Sequence, residues 1–171
     1  MMNILTSSEL RTGDVLHCKG HRFISRAISF FTKSPITHSA VVIECWGQIY
    51  VVDAQKNGVN PKPLKAWLEE YNYDIYVSRP KIGPKDPKAF SIRAFSKVGL
   101  TGYDFESLLW KFPVSIITGK WGKDKDPNED RMVCSEYVAW LWRIERSYRI
   151  TPKRLHELLQ RPSFLQFKFV Y

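Results

Sequence analysis

The chain has 171 residues, with 26 Lys and Arg against 17 Asp and Glu, a formal charge of +9. That length suits a single domain over residues 1–171, and 44% hydrophobic with 14% aromatic residues supply a core, which excludes general disorder. Three cysteines, none in a C-x-x-C pair, exclude a disulfide scaffold and a cysteine-rich zinc domain.

Residues 1–12 lack the apolar run of a signal peptide. No stretch approaches the roughly 18 apolar residues of a membrane span. The expected location is therefore the cytoplasm, or release without a signal peptide, association with a phage particle included. Arg11-Thr12-Gly13-Asp14 reads as a turn feeding a short strand at Val15-Leu16. Phe23, Ile24, Ala27, Ile28 and Phe31 recur at helical spacing and predict an amphipathic helix over 22–32. Ser34-Pro35 ends it, because proline disfavours helical backbone in the residue before it. Residues 37–43 and 49–53 are β-rich and flank Trp46-Gly47, which predicts a β-hairpin.

A turn at Asn57-Gly58, a helix over 64–70 and a strand over 73–78 follow. After a proline-punctuated link over 79–87, Asp86-Pro87 reads as an N-cap and first helical residue of a helix through Val98, ended by Gly99 and Gly102. Residues 105–110 form a second helical piece, and 123–131 a charged loop. Residues 133–146 predict the strongest helix, with Val138, Leu141 and Trp142 on one face, and Thr151-Pro152 caps another through Gln160. Over 164–171, Leu165, Phe167 and Phe169 alternate with Gln166 and Lys168, the pattern of a half-buried strand. Strands early and late with helices between them predict an α+β fold with a mostly antiparallel sheet packed against helices.

Cys134 opens the strongest predicted helix directly after a charged loop. A helix N-terminus favours negative charge, and thiolate is the reactive form of cysteine. The alternative is a small buried hydrophobe, a common fate of free cysteine. A thiol nucleophile needs a base, and the base an orienting group. Pairing Cys45 with Gln48 across Trp46-Gly47 places His38 opposite Gln55 and Asp53 opposite Ala40, so His38 and Asp53 share a face. As diagonal neighbours, their Cα atoms would lie about 7–8 Å apart, within reach of polar side chains. The carboxylate can then hold the imidazole in the tautomer that presents its other nitrogen to Cys134. A loop longer or shorter by one residue would put Asp53 on the other face. Taken singly, Asp53 is equally a strand-end turn residue and His38 a satisfied core histidine.

The order Gly13-Asp14-Val15, Thr37-His38-Ser39-Ala40-Val41-Val42, Val52-Asp53-Ala54, Gly58-Val59, Tyr103-Asp104-Phe105 and Cys134-Ser135-Glu136-Tyr137-Val138 resembles the YiiX/YebB-like permuted papain-like amidases of the NlpC superfamily. The resemblance covers nearly the whole chain. It implies a circularly permuted papain-like (NlpC-type) fold, with the histidine strand ahead of the cysteine helix and the nucleophile at a helix N-terminus. Carried over residue by residue, it makes Cys134 the nucleophile, His38 the base and Asp53 the orienting acid. Glutamate is the more usual residue at the third position, and Glu44, on the His38 face by parity, is the reserve.

Tyr103 can add a hydroxyl to the site or to substrate, or serve only as aromatic packing. Asp14 reads as a turn residue, and Glu136 as a first-turn acid complementing the helix dipole. His17-Cys18-Lys19-Gly20-His21 offers metal-ligand types without the second cluster that zinc sites draw on, so no metal and no cofactor is expected. After residue 142, seven basic residues oppose Glu145 and Glu157, forming a solvated face or a contact with an anionic surface; no nucleic-acid motif accompanies them.

The expected function is a papain-like cysteine amidase or thiol peptidase that hydrolyses an amide through an acyl-enzyme. The resemblance points to cell-wall peptide or a related amide as substrate. Two alternatives stay open: a lipid acyltransferase or thioesterase using the same site, and a catalytically silent binding module using the basic face.

Overall fold

In the computed structural model, residues 3–19, 29–30, 33–71, 74–102, 131–145, 147 and 150–170 are described. Among them, seven strands form one sheet: β1 (Asn3–Leu5), β2 (Val15–Cys18), β3 (His38–Cys45), β4 (Gln48–Gln55), β5 (Gly58–Pro63), β6 (Ile75–Pro80) and β7 (Phe164–Phe169). Four helices accompany it: α1 (Leu64–Glu70), α2 (Pro87–Phe95), α3 (Cys134–Leu141) and α4 (Pro152–Leu158). The strand order is β1-β7-β6-β2-β3-β4-β5, with β1 and β7 parallel and every other neighbouring pair antiparallel. The fold is α+β, as the order of elements predicts. No helix of the described residues is long and apolar enough to cross a membrane.

The β3–β4 hairpin sets the register of the sheet's centre. Trp46 and Gly47 both have positive φ, +51° and +72°, the backbone a two-residue turn needs to match strand twist. Cys45 therefore stands opposite Gln48, and the ladder runs on to Val41 opposite Val52. Both faces of the sheet are covered, which is why the centre of β3 reads as the unbroken apolar run Ala40-Val41-Val42-Ile43. On one face, Val15, Val41, Ile43, Val52 and Ala54 pack with side chains of α2, α3 and α4, among them Phe90, Tyr137, Val138 and Leu155. On the other, Leu16, Ala40, Val42, Val51 and Val77 pack with Trp67 of α1 and with Leu5, Leu10 and Phe169. Each fully buried Val, Leu or Ile side chain among them is worth about 1.5–3 kcal/mol.

Several elements depart from the sequence reading. α3 spans Cys134–Leu141 and does not reach residue 146. Arg143 turns left-handed at φ +54°, and the Ile144 N–H donates back to the Ala139 carbonyl at 2.8 Å, closing the helix with a Schellman motif. α2 and α4 keep their expected starts, with Asp86 accepting from the Ala89 N–H at 2.9 Å and Thr151 from the Arg154 N–H at 3.1 Å. α2 ends at Phe95 rather than Val98, with the Ser96 N–H closing onto the Ile92 carbonyl. β5 and β1 are strands that the sequence reading did not contain. Of the helix predicted over 22–32, only residues 29–30 are described, and they are helical; the helical piece over 105–110 and all of the loop over 123–131 except Arg131 lie outside the described residues.

Asp14 does more than close a turn. It accepts from the Arg11 N–H at 2.9 Å and forms a bidentate ion pair with Arg79, at 2.8 Å to Nε and 2.7 Å to Nη2. Asp14 is buried, so the pair pins the start of β2 to β6.

Candidate active site

His38 is the first residue of β3 and pairs with Cys18, the last residue of β2. Asp53 lies near the end of β4, on the α1 side of the sheet shared by Val51 and by Ala40 and Val42 of β3. Parity puts the His38 side chain on that side as well, and His38 Nε2 donates to Asp53 Oδ2 at 2.7 Å. Asp53 is fully buried. The same oxygen accepts from Trp67 Nε1 at 3.0 Å and Gln55 Nε2 at 3.1 Å, so three donors hold it in one orientation. Asp53 Oδ1 is buried with no hydrogen-bond partner among the described residues.

Cys134 is the first residue of α3, which packs across β3 and β4. The thiol is 2% exposed yet belongs to neither apolar cluster, unlike a cysteine kept for packing. It lies close enough to His38 for its charge to act on the imidazole. With Nε2 committed to Asp53, Nδ1 is the ring nitrogen left to serve another partner. A helix N-terminus presents backbone N–H groups that have no intrahelical partner, and a positive dipole end, and Cys134 stands at one. Glu136, in the first turn, accepts from the Val133 N–H at 2.9 Å, so this acid closes the helix start and is not free to act in the site.

Electrostatics sharpen the pairing. Burial by itself lowers the His38 pKa, but the negative charge of Cys134, the hydrogen bonds to Asp53 and Cys134, and the Asp53 charge push it up to about 10. These neighbours thus favour the charged form of His38 against the cost of burying it. Cys18, beside His38 on β2, behaves differently: burial first, then the charges of Asp53 and Cys134, push its thiol well up, so it stays protonated.

Two aromatic residues complete the cluster. The Tyr71 ring stacks on His38 with centroids 4.8 Å apart and planes 6° from parallel. Trp67 stacks on Tyr71 at 4.6 Å and 22°. Neither these two residues nor Gln55 was assigned to the site from sequence, although the Trp67/Tyr71 spacing along α1, next in the chain after the hairpin and β5, was an available signal.

The remaining candidates fall elsewhere. Glu44 shares parity with His38 but sits at the far end of β3, exposed beside the hairpin turn, about 20 Å of strand away. Its place shows that parity along a strand selects a face and not a site. Tyr103 and His21 lie outside the described residues. His17 and Cys18 are adjacent on β2 and project to opposite faces, so they do not converge. His17 turns instead to Ser39, with Nδ1 to Oγ at 3.0 Å, and its ring meets His156 of α4 edge-on at 4.7 Å. Of the C-terminal basic residues, Lys168 pairs with Asp74 at 2.8 Å and Arg154 with Glu157 at 3.4 Å.

No family model matches the sequence, and no curated protein matches it. Among solved structures, the chain is similar to the crystal structure of metalloprotein YiiX from Escherichia coli O157:H7. The match has 21% sequence identity, covers 92% of this chain and 88% of that one, and has a TM-score of 0.60. The fold is YiiX-like.

Proposed function

We propose that the chain is a cysteine hydrolase that cleaves an amide bond, built as one circularly permuted papain-like domain. One observation carries this reading: His38 holds the buried Asp53 carboxylate at 2.7 Å while standing close enough to Cys134 for the charge of that sulfur to act on it. Cys134 Sγ attacks the substrate carbonyl, and the sulfur–carbon bond forms as the carbonyl electrons move onto oxygen. The Cys134 backbone N–H, at the start of α3, is suited to receive that oxyanion. His38 Nδ1 carries the proton removed from the thiol and gives it to the leaving nitrogen as the amide bond breaks. A thioester acyl-enzyme remains. Water then attacks it with His38 as base, releasing a carboxylate and restoring the thiol. Asp53 keeps the ring oriented throughout, itself fixed by Trp67 and Gln55. The resemblance to permuted papain-like amidases favours a peptide or related amide of cell-wall type as substrate.

The structural neighbour is described as a metalloprotein. Among the described residues here, no group of three or more His, Cys, Asp and Glu is arranged to hold a metal ion. His38 is bound at Nε2 by Asp53, and His17 diverges from Cys18. Among the described residues, the donors do not fit a resident metal.

Mass spectrometry of the intact protein after brief exposure to iodoacetamide tests the reading. Cys134 should label far faster than in urea-unfolded protein, His38→Ala should slow it strongly, and His17→Ala should leave it unchanged. Labelling of Cys134 at the unfolded rate, with no effect of His38→Ala, would remove the basis for an enzyme.

A further inference from the structure

We infer that Tyr71 is a positioning residue for His38, and that with Trp67 it forms an aromatic clamp holding the imidazole in the plane that joins Cys134 to Asp53. This rests on the Cys134–His38–Asp53 reading above. The clamp has two contacts of different kinds. Trp67 addresses the carboxylate, through the 3.0 Å bond from Nε1 to Asp53 Oδ2. Tyr71 addresses the base, through near-parallel rings 4.8 Å apart. Tyr71 directly follows α1, and its N–H donates to the Trp67 carbonyl at 3.0 Å, so the two side chains lie on one side and stack on each other at 4.6 Å. One short helix thus reaches both proton-handling members of the site.

The geometry restricts the imidazole. A ring lying flat on the Tyr71 face cannot rotate about its Cβ–Cγ bond without driving an edge into the phenol. Both nitrogens are therefore kept in the plane shared by sulfur and carboxylate. An aromatic face also attracts a cation, and more strongly where water is excluded. The groups facing His38 are Cys134 from α3, Asp53 from β4, Cys18 from β2 and Tyr71 from the end of α1. Burial first, then the charges of Asp53, Cys18, Cys134 and Glu70, pushes the Tyr71 phenol far up, so its ring stays neutral whenever His38 is charged. Tyr71 is half-buried, with its ring packed between the Trp67 side of the core and the His38 imidazole.

The test compares wild type with Tyr71→Phe and Tyr71→Leu, reading the Cys134 alkylation rate at neutral pH and the titration of the His38 ring by NMR. Tyr71→Phe keeps the ring face and should preserve both. Tyr71→Leu should slow labelling about tenfold and move the His38 titration lower by about one pH unit, since losing the stack disfavours the cation. Loss of packing alone would lower stability without moving the titration. An unchanged rate and titration in Tyr71→Leu overturns the inference. Slow labelling of wild-type Cys134 would instead sink the parent reading. Should Tyr71→Leu not fold, the wild-type protein still decides: His38 ring protons should show the upfield shift of nuclei lying over an aromatic face, and its absence overturns the clamp.

Discussion

His38 Nε2 and Asp53 Oδ2 stand 2.7 Å apart although the two residues belong to different strands and are diagonal, not directly opposed, across the hairpin. The contact depends on charge as well as shape. Asp53→Asn keeps the size of the side chain and the bond to one donor but removes the carboxylate that steadies the imidazolium. Any amide-cleaving activity should fall by about two to four orders of magnitude, and Cys134 alkylation should slow with it. Retention of wild-type labelling in a folded Asp53→Asn protein would show that His38 needs no carboxylate.

The buried histidines give stability opposite dependences on pH. His38 has its folded pKa raised from 6.5 to about 10, so its pairing stabilises fully below 6.5 and the contribution fades as pH rises through about 10. His17 is pushed well below 6.5 by burial and by its neighbour His156, which burial also lowers. The folded state resists protonation there, so that contribution is present above 6.5 and is lost as pH falls below it. Urea midpoints should therefore peak between these two windows. His17→Gln should flatten the acid side alone, and an unaltered acid-side slope would refute the assignment.

Trp67→Phe retains an aromatic ring in the core but removes the indole N–H from Asp53. Hydrogen bonds to charged groups contribute about 1.5–3 kcal/mol, and stability measured by urea unfolding should fall by that order. Alkylation of Cys134 should slow in the folded variant, because Asp53 has lost one of the donors that fix it.

Arg79→Met strips the buried Asp14 carboxylate of its bidentate partner. Breaking such a pair costs about 3–5 kcal/mol, far more than a surface bridge. Replacing both partners, with Asp14→Asn added, should recover part of the loss. The pair sits at the end of β2 remote from Cys18, so labelling of Cys134 in folded protein should stay at the wild-type rate.

The hairpin was the most legible part of the fold because two residues decide it. Trp46-Gly47 leaves one register for the flanking strands, and that register alone makes His38 and Asp53 neighbours. β5 was illegible for the converse reason. Its sequence Gly-Val-Asn-Pro-Lys-Pro carries two prolines, which argue against a strand anywhere except at a sheet edge, and the sheet order places β5 at an edge. β1 is three residues long and is recruited by the distant β7, a pairing with no local signal. The C-terminal end of α3 was overextended because Arg143, an ordinary helix former, adopts the left-handed conformation usually left to glycine. In the candidate site, the His38–Asp53 contact was readable through strand parity, and the place of Cys134 through its position at a helix start. Trp67 and Tyr71 were not, since aromatic residues on a short amphipathic helix look like core whether or not they also touch a charged ring.

The division of the site between one hairpin and a separate helix has a consequence for the growing polypeptide. His38 and Asp53 lie close in sequence and leave the ribosome together, with contacts local enough to form early. Cys134 follows much later, after α1, β6 and α2 have been made. On the proposed reading, an unfinished chain holds the machinery for moving a proton but not its nucleophile, Cys134. Products that end before Cys134 would therefore lack the proposed nucleophile, which joins the pair only when the last third of the chain docks.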